Sequence, residues 1–405
     1  MEMRADLLIV GAGMVGSALA LALKDSGLKI LLLDGGPLSV KPFSTDDVFE
    51  PRVSALSAAS QRILQRLGAW DGIVRRRVSP YSHMHVWDGS GTGQIHFSAA
   101  SVHADVLGHI VENRVVQDAL LECLQGSDIE LLANARLEQM RRSGDEWLLT
   151  LADGRTLRAP LVIAADGAHS AVRRLTGCET REWDYMHHAI VASVRCAQPH
   201  QQTAWQRFLP AGPLAFLPLS DGRCSIVWST APEMADELLA RDETGFAEAL
   251  AAAFDQRLGA IVEVGPRSAF PLRLQHARAY VKPGLALIGD AAHVVHPLAG
   301  QGVNLGLLDA ATLAEVILDA LATGHDFSSI KTLRRYERRR KGDNLLMLGV
   351  MDGFKRLFGN TLPPVRLLRN LGLNLTDAIG PLKNGIARRA MGLDGDLPRL
   401  ARAVG

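Results

Sequence analysis

An apolar strand running straight into a glycine-rich turn and then a helix is the feature that most limits what this chain can become. Residues 5–10 (Ala-Asp-Leu-Leu-Ile-Val) show no polar alternation after Asp6 and read as a strand buried on both faces, as in a parallel sheet. Gly11, Gly13 and Gly16 follow as Gly-x-Gly-x-x-Gly, and residues 14–26 carry a helical pattern that Gly27 stops. The first glycine permits the tight turn, the second lets a pyrophosphate approach the backbone, and the third lets the helix pack close to the strand. A second buried strand ends at Asp34, where a carboxylate can accept both ribose hydroxyls. This is the opening β-α-β unit of a doubly wound sheet, with a dinucleotide's phosphates at the helix N-terminus. The unit alone does not separate NAD from FAD.

Composition narrows the classes. Hydrophobic residues make up 47% and charged residues 21%, which excludes a disordered or collagen-like chain. The net charge of +1 points to no acidic partner and no nucleic acid, but residues 330–405 hold 16 Lys/Arg against 6 Asp/Glu. The four cysteines are scattered without a CxxC pair, which fits a reducing cytoplasm rather than a disulfide scaffold or zinc site. No apolar run reaches the roughly 18–20 residues that span a bilayer, and the N-terminal run reads as a strand rather than a signal peptide.

Residues 58–67 and 113–125 read as helices, and 128–133, 146–151 and 156–164 as strands. Short β-like runs at 187–196, 203–209, 214–219, 224–230 and 268–273 have no helices between them, suggesting an inserted, mainly antiparallel sheet. The α/β pattern returns at 285–290, and the last 75 residues have helical period. The expected architecture is α/β. A discontinuous nucleotide-binding domain spans 1–75, 100–180 and 275–330, a β-sheet substrate domain spans 76–99 and 181–274, and a helical region spans 331–405.

Two further motifs sit at strand ends. Asp166-Gly167-Ala168-His169-Ser170 follows an apolar strand and opens a helix; Asp166 could equally be that helix's N-cap. Gly289-Asp290-Ala291-Ala292-His293 ends another strand. Then come His296-Pro297-Leu298-Ala299-Gly300-Gln301-Gly302-Val303-Asn304-Leu305-Gly306-Leu307-Leu308-Asp309. An acid there can hold polyol hydroxyls, and helix-start N–H groups can stabilise negative charge on a reduced ring. These runs, with Arg52-Val53-Ser54-Ala55-Leu56-Ser57 and Glu112-Asn113-Arg114, resemble the ubiquinone-biosynthesis hydroxylases, a branch of the FAD-dependent aromatic monooxygenases.

The resemblance implies a para-hydroxybenzoate-hydroxylase-like fold with noncovalent FAD. It places the cofactor at Gly11, Gly13, Gly16, Asp34, Arg52, Asn113, Arg114, Asp166, Gly167, Gly289, Asp290, Pro297, Gly302, Val303 and Asn304. Arg114 is the first choice on its helix and Asn113 the second. Pro297, Gly300, Gln301 and Gly302 would border the flavin ring, and no catalytic base is identified. NADPH or NADH would reduce the flavin, and O₂ would add to it as a C4a-hydroperoxide that hydroxylates a prenylated phenol or quinol. The best expectation is C5 hydroxylation of a 2-polyprenylphenol. C6 or C1 hydroxylation, a soluble-phenol hydroxylase and a non-catalytic flavin-binding subunit remain open.

The resemblance gives the substrate wall to the middle sheet through Gln206, Phe208, Leu214, Phe216 and Pro218; the alternative reading of these residues is ordinary sheet core. No metal is expected, since the histidines lack ligand spacing. In the tail, apolar residues from Met347 to Phe358 recur at helical spacing beside arginines. Such a stripe suits a membrane surface, other ubiquinone-biosynthesis proteins, or the protein's own core. The expected location is cytoplasmic, with or without peripheral membrane attachment.

Overall fold

A computed structural model of the chain describes residues 2–45, 47–294, 302–360 and 362–403. Its organising layer is a six-stranded sheet. Strands Leu285–Leu287, Leu161–Ala164, Leu7–Val10, Ile30–Leu33 and Glu130–Leu132 lie side by side in parallel, with Val281–Lys282 antiparallel at the edge. The four residues of Leu7–Val10 are all buried, as are those of Ile30–Leu33 and Leu161–Ala164, because the helix Met14–Ala22 and a four-stranded sheet holding Glu146–Leu151 and Thr156–Ala159 both pack on them. The helices in chain order begin with α1 (Met14–Ala22), α2 (Ala58–Arg66), α3 (Trp70–Arg76), α4 (Asn113–Gln125) and α5 (Ala171–Leu175). They continue with α6 (Pro232–Ala240), α7 (Glu243–Ala253), α8 (Gly302–Ala322), α9 (Ile330–Gly359), α10 (Pro363–Ala378) and α11 (Gly380–Ala390).

The expected strand at 156–164 is two strands. Pro160 has no N–H to donate, and the chain changes sheets there: Thr156–Ala159 pairs with Glu2–Arg4 and Glu146–Leu151, while Leu161–Ala164 enters the six-stranded sheet.

The middle of the chain builds a nine-stranded sheet. Its order runs from His293–Val294 through Ser268–Ala277, Thr180–Cys196, Cys224–Thr230, Gly212–Pro218, Thr203–Leu209 and His83–Asp88 to Gln94–Ser98, with Ile261–Val264 off that path. Pairing is antiparallel except between Thr203–Leu209 and His83–Asp88. The expectation of strands without helices needs correction. Helices α6 and α7 intervene, and Ala235, Leu238, Phe246 and Leu250 pack under the sheet with Ile190, Leu214, Phe216 and Trp228. A sheet with two apolar faces needs a cover on each, and these helices provide one.

The chain passes from one sheet to the other within a few residues. Leu285–Leu287 belongs to the parallel sheet, and His293–Val294 pairs with Gln275 and His276 of the other. The segment that carries Asp290 is therefore anchored at both ends.

Candidate functional site

Gly11 has φ +103°, and a Cβ there would sit 2.4 Å from the Ala165 carbonyl oxygen. At Gly16 a Cβ would fall 1.9 Å from the Gly11 oxygen. Any side chain at either position drives helix and strands apart. Gly13 differs: nothing lies within 4 Å of its Cβ position. It is the N-cap of α1, and no side chain caps that helix. The amides of the first turn are thus left to a ligand in front of an open cradle. Asp34 closes the unit. Its Oδ2 accepts from the Ala12 N–H at 2.8 Å and its Oδ1 from the Gly36 N–H at 2.8 Å. Each oxygen keeps lone-pair capacity for a diol.

From this cradle a cavity of 390 Å³ extends to the nine-stranded sheet. Gly13, Met14 and Val15 of α1 and Gly302 and Val303 of α8 line it, so two helix N-termini face the same space. Arg52, Asn113, Gly167 and Asp290 supply its polar rim, and Ala189, Val191, Ala215, Leu217 and Val227 its apolar wall. Arg52 lies over the Phe270 ring at 5.6 Å. The Asp290 side chain faces the cavity. Its enclosure by protein pushes the carboxyl pKa up, while His293 and Arg52 pull it down.

The substrate-wall residues are placed differently from expectation. Gln206 lines the cavity; Phe208, Leu214, Phe216 and Pro218 do not. The physical reason is strand alternation. Gln206 pairs with Ala215, and both face the cavity; Trp205 pairs with Phe216, one residue out of phase and on the opposite face. There Phe216 stacks on Phe254 at 3.8 Å, with Leu214 beside it in the same core. Pro218 shares their phase along the strand and pairs with Cys224. Phe208 shares the face of Gln206 but is roofed by Phe358 of α9 at 3.9 Å. Pro213, Ala215 and Leu217 form the wall instead.

Other expected positions separate in the same way. Asn113 lines the cavity and accepts from the Ser54 hydroxyl at 2.6 Å. Arg114, the first choice, turns to Asp118 at 3.4 Å and to the Pro42 carbonyl. The Asn304 side chain is not a ligand group. It is buried, donates to Ala55 O at 2.8 Å, and accepts from the Ser57 N–H and Ser60 hydroxyl, fastening α8 to α2. Gly289 has φ +58° and packs against Val15 rather than lining the cavity. Asp166 Oδ2 accepts from the Val172 N–H at 3.1 Å, which makes it a brace for α5; its Oδ1 is buried without a hydrogen-bond partner among the described residues, beside Gly167 on the cavity wall. Pro297, Gly300 and Gln301 lie outside the described residues.

One cluster escaped the sequence reading. Asp309, fully buried in α8, accepts from the Gly289 N–H at 3.1 Å, meets His293 Nε2 at 2.5 Å and pairs with Arg340 of α9 at 2.8 Å. Asn344 donates to Asp309 and to the Tyr280 hydroxyl. Burial works against the Asp309 carboxylate, but His293 and Arg340 hold it well below the usual range. This cluster locks the 289–294 segment beneath Asp290. The available signal was an acid, Asp309, set between the apolar runs Leu305–Leu308 and Ala310–Ala311 of α8. Phe270, Pro271, Leu272 and Arg273 also line the cavity from a strand that no motif marked.

The cradle, the Asp34 carboxylate at the strand end and the open space before Gly13 fit a dinucleotide cofactor, and the adjoining cavity fits a flat ring system. Among the described residues no group of His, Cys, Asp or Glu is placed to hold a metal.

Comparison with known proteins agrees with that geometry. A family model described as FAD binding domain matches residues 4–343. The chain is 40% identical to the 3-demethoxyubiquinol 3-hydroxylase of Escherichia coli over 96% of its own length and 98% of the relative's. It is 41% identical to ubiquinone hydroxylase UbiL of Rhodospirillum rubrum (99% and 93% covered) and 37% identical to the mitochondrial ubiquinone biosynthesis monooxygenase COQ6 of Homo sapiens (94% and 91%). Among solved structures, p-nitrophenol 4-monooxygenase PnpA of Pseudomonas putida superposes with a TM-score of 0.78 at 20% identity, covering 96% of this chain and 99% of that one. At that identity the match speaks for the fold.

Proposed function

The chain belongs to the FAD binding domain family, among flavin-dependent monooxygenases related to the ubiquinone hydroxylases, and on that premise we propose that it hydroxylates the ring of a polyprenylated phenol or quinol in ubiquinone biosynthesis. The observation that carries this is the cavity itself: a nucleotide cradle and two helix N-termini at one end, an aliphatic sheet wall at the other. Bound FAD would supply the redox and oxygen chemistry, with NADPH or NADH as reductant and O₂ as oxidant.

The chain's own groups do the rest. The N–H groups of α1 hold the pyrophosphate and Asp34 the ribose. Asp290 binds the polyol chain, with Asn113, Arg52 and Asp166–Gly167 around it. Gly302 and Val303 present the α8 N-terminus to developing negative charge. Ala189, Val191, Ala215, Leu217 and Val227 hold an apolar ring and exclude water, and Gln206 offers the wall's amide for its oxygen substituent. We keep the domain limits stated from the sequence as part of the proposal.

For position we propose C5 of a 2-polyprenylphenol. The Escherichia coli relative supports a second reading, since its name places its activity on a demethoxyubiquinol, which corresponds to the C6 step. An isoprenoid substrate dissolves in bilayers, so the enzyme meets it at a membrane surface or receives it from other proteins of the pathway.

The test has two parts. Purified protein should be yellow, and a prenylated phenol should stimulate NAD(P)H oxidation with hydroxylated product; flavin without turnover would leave a binding subunit. Deleting the gene should then accumulate a polyprenylphenol without the added ring oxygen if C5 is right, and a demethoxy-quinone if C6 is.

A further inference from the structure

Helix α10 is docked inside out. An amphipathic helix on a soluble protein turns its polar side to water; α10 turns it inward. Asn370, Asn374 and Asp377 accept from the backbone N–H groups of Gly93, Gln94 and His96 at 2.6, 3.1 and 3.1 Å, covering the outer edge of the last strand in the nine-stranded sheet. Arg369 is buried against Asp88 at 2.6 Å and donates to the carbonyls of Leu357 and Phe358. The fit is specific to glycine at the contact: a Cβ at Gly91 would lie 2.2 Å from the Asn370 amide, and one at Gly93 2.6 Å from its oxygen. Anchored this way, α10 leaves Leu367, Leu368, Leu371 and Leu375 outward with 62, 69, 57 and 60% exposure.

The strip continues through Ile379 and Leu382 into α11. The exposed positions from 367 to 386 hold only Leu, Ile, Ala, Gly and Pro, apart from Asn374. Cations stand at both ends: Arg356, 77% exposed although it reaches Asp352, and the exposed Arg388, paired with Asp394 at 2.9 Å, and Arg389. An aliphatic strip of this length, interrupted only by Asn374 and exposed on the chain, marks an interaction surface.

We propose that this strip is a docking face for an anionic lipid bilayer. The aliphatic side chains enter the acyl boundary while the flanking arginines meet headgroup phosphates. Charge decides against a second copy as occupant, because pairing two strips, parallel or antiparallel, brings cationic ends together. The charge of the whole chain agrees: residues 330–405 carry 16 Lys/Arg against 6 Asp/Glu in a protein of net +1, so an anionic surface attracts the tail and repels the body. The helix that carries the strip also adjoins the site, its Leu373 packing with Phe208 and Phe358. Phe208, two residues along the strand face from the cavity residue Gln206, is stacked under Phe358 just before α10. The proposal deepens the proposed function and rests on it only for the source of the substrate.

The test is cosedimentation of full-length, FAD-loaded protein with vesicles of phosphatidylethanolamine and phosphatidylglycerol in equal parts. The wild type should bind, and Leu368→Ser with Leu371→Ser should lower the partition roughly tenfold or more while keeping flavin content and turnover of a short-chain soluble phenol. Raising salt should weaken binding further. Failure of the wild type to sediment, or unchanged binding of the variant, overturns the proposal. So does an oligomer in vesicle-free buffer that the same substitutions dissolve, since that assigns the strip to a second copy. If the soluble phenol is not turned over but vesicles still bind, the proposed function fails and the docking face stands.

Discussion

The two sheets that enclose the cavity contribute to it in opposite ways. At the parallel sheet the phosphate cradle is backbone: Gly11 and Gly16 matter because no side chain fits, and Gly13 because none is in front of it. At the nine-stranded sheet the contacts are side chains, and which ones face the cavity is settled by a phase of one residue, Ala215 rather than Phe216. Backbone sites depend on local chain geometry, which residue type and spacing encode. Side-chain walls depend on register, which neighbouring strands impose.

This contrast can be broken most forcefully at Gly16. Gly16→Val places a branched side chain where even a Cβ meets the Gly11 oxygen at 1.9 Å, so no flavin-loaded protein should be recovered. An absorbance spectrum showing full flavin occupancy would end the backbone account of the cradle.

Asp309→Asn comes next, at the cluster that fastens the junction of the two sheets. It removes the buried counter-charge of Arg340 and leaves it only Asp343, half exposed at 3.3 Å, and urea unfolding should show a loss of about 3–5 kcal/mol. A midpoint close to wild type would mean that Asp343 and Asn344 suffice to satisfy the arginine.

On the wall, paired substitutions sharpen the comparison. Phe216→Ala should cost about 3–5 kcal/mol by opening a void against Phe254, with turnover retained in the folded fraction. Ala215→Phe should do the reverse, keeping flavin but losing hydroxylation as the ring fills the cavity. Equal effects of the two on turnover would show that the faces are assigned wrongly.

A smaller effect is expected at Asp290, where Asp290→Ala removes a charge-assisted hydrogen bond. The FAD dissociation constant should rise by the equivalent of about 1.5–3 kcal/mol, and an unchanged constant would remove Asp290 from the polyol site.

The most gradual is a slope with pH. Burial lowers His109 to about 4, and burial together with His293, Lys341 and Arg181 lowers His276 to about 4. Their folded values lie below the unfolded histidine value of about 6.5, so the unfolded chain takes up protons first. The stability they contribute is whole above about pH 6.5 and declines as pH falls toward 4. Thermal melts across that window should show the decline, and His109→Gln should flatten it; a wild-type melting temperature independent of pH there would contradict the burial of both rings.

The sequence by itself determined the nucleotide side of this protein. Gly11, Gly13, Gly16, Asp34 and Asp290 were legible because each answers a local demand, a turn, a close approach or an acid at a strand end, within a few residues of chain. It also carried the inserted sheet as runs of β-formers, though not α6 and α7, whose apolar faces make sense only against that sheet. What tertiary structure alone decided is which face of a strand meets which void. Leu214 and Phe216 look like better walls than Ala215, and their size is why the α6–α7 core claims them. Asn304 reads as part of a cofactor motif until α2 takes up its amide. Arg340 reads as one basic residue among many in the tail until α9 folds back and sets it on Asp309. Partners distant in sequence compete for each such side chain, and only the assembled packing settles which of them wins.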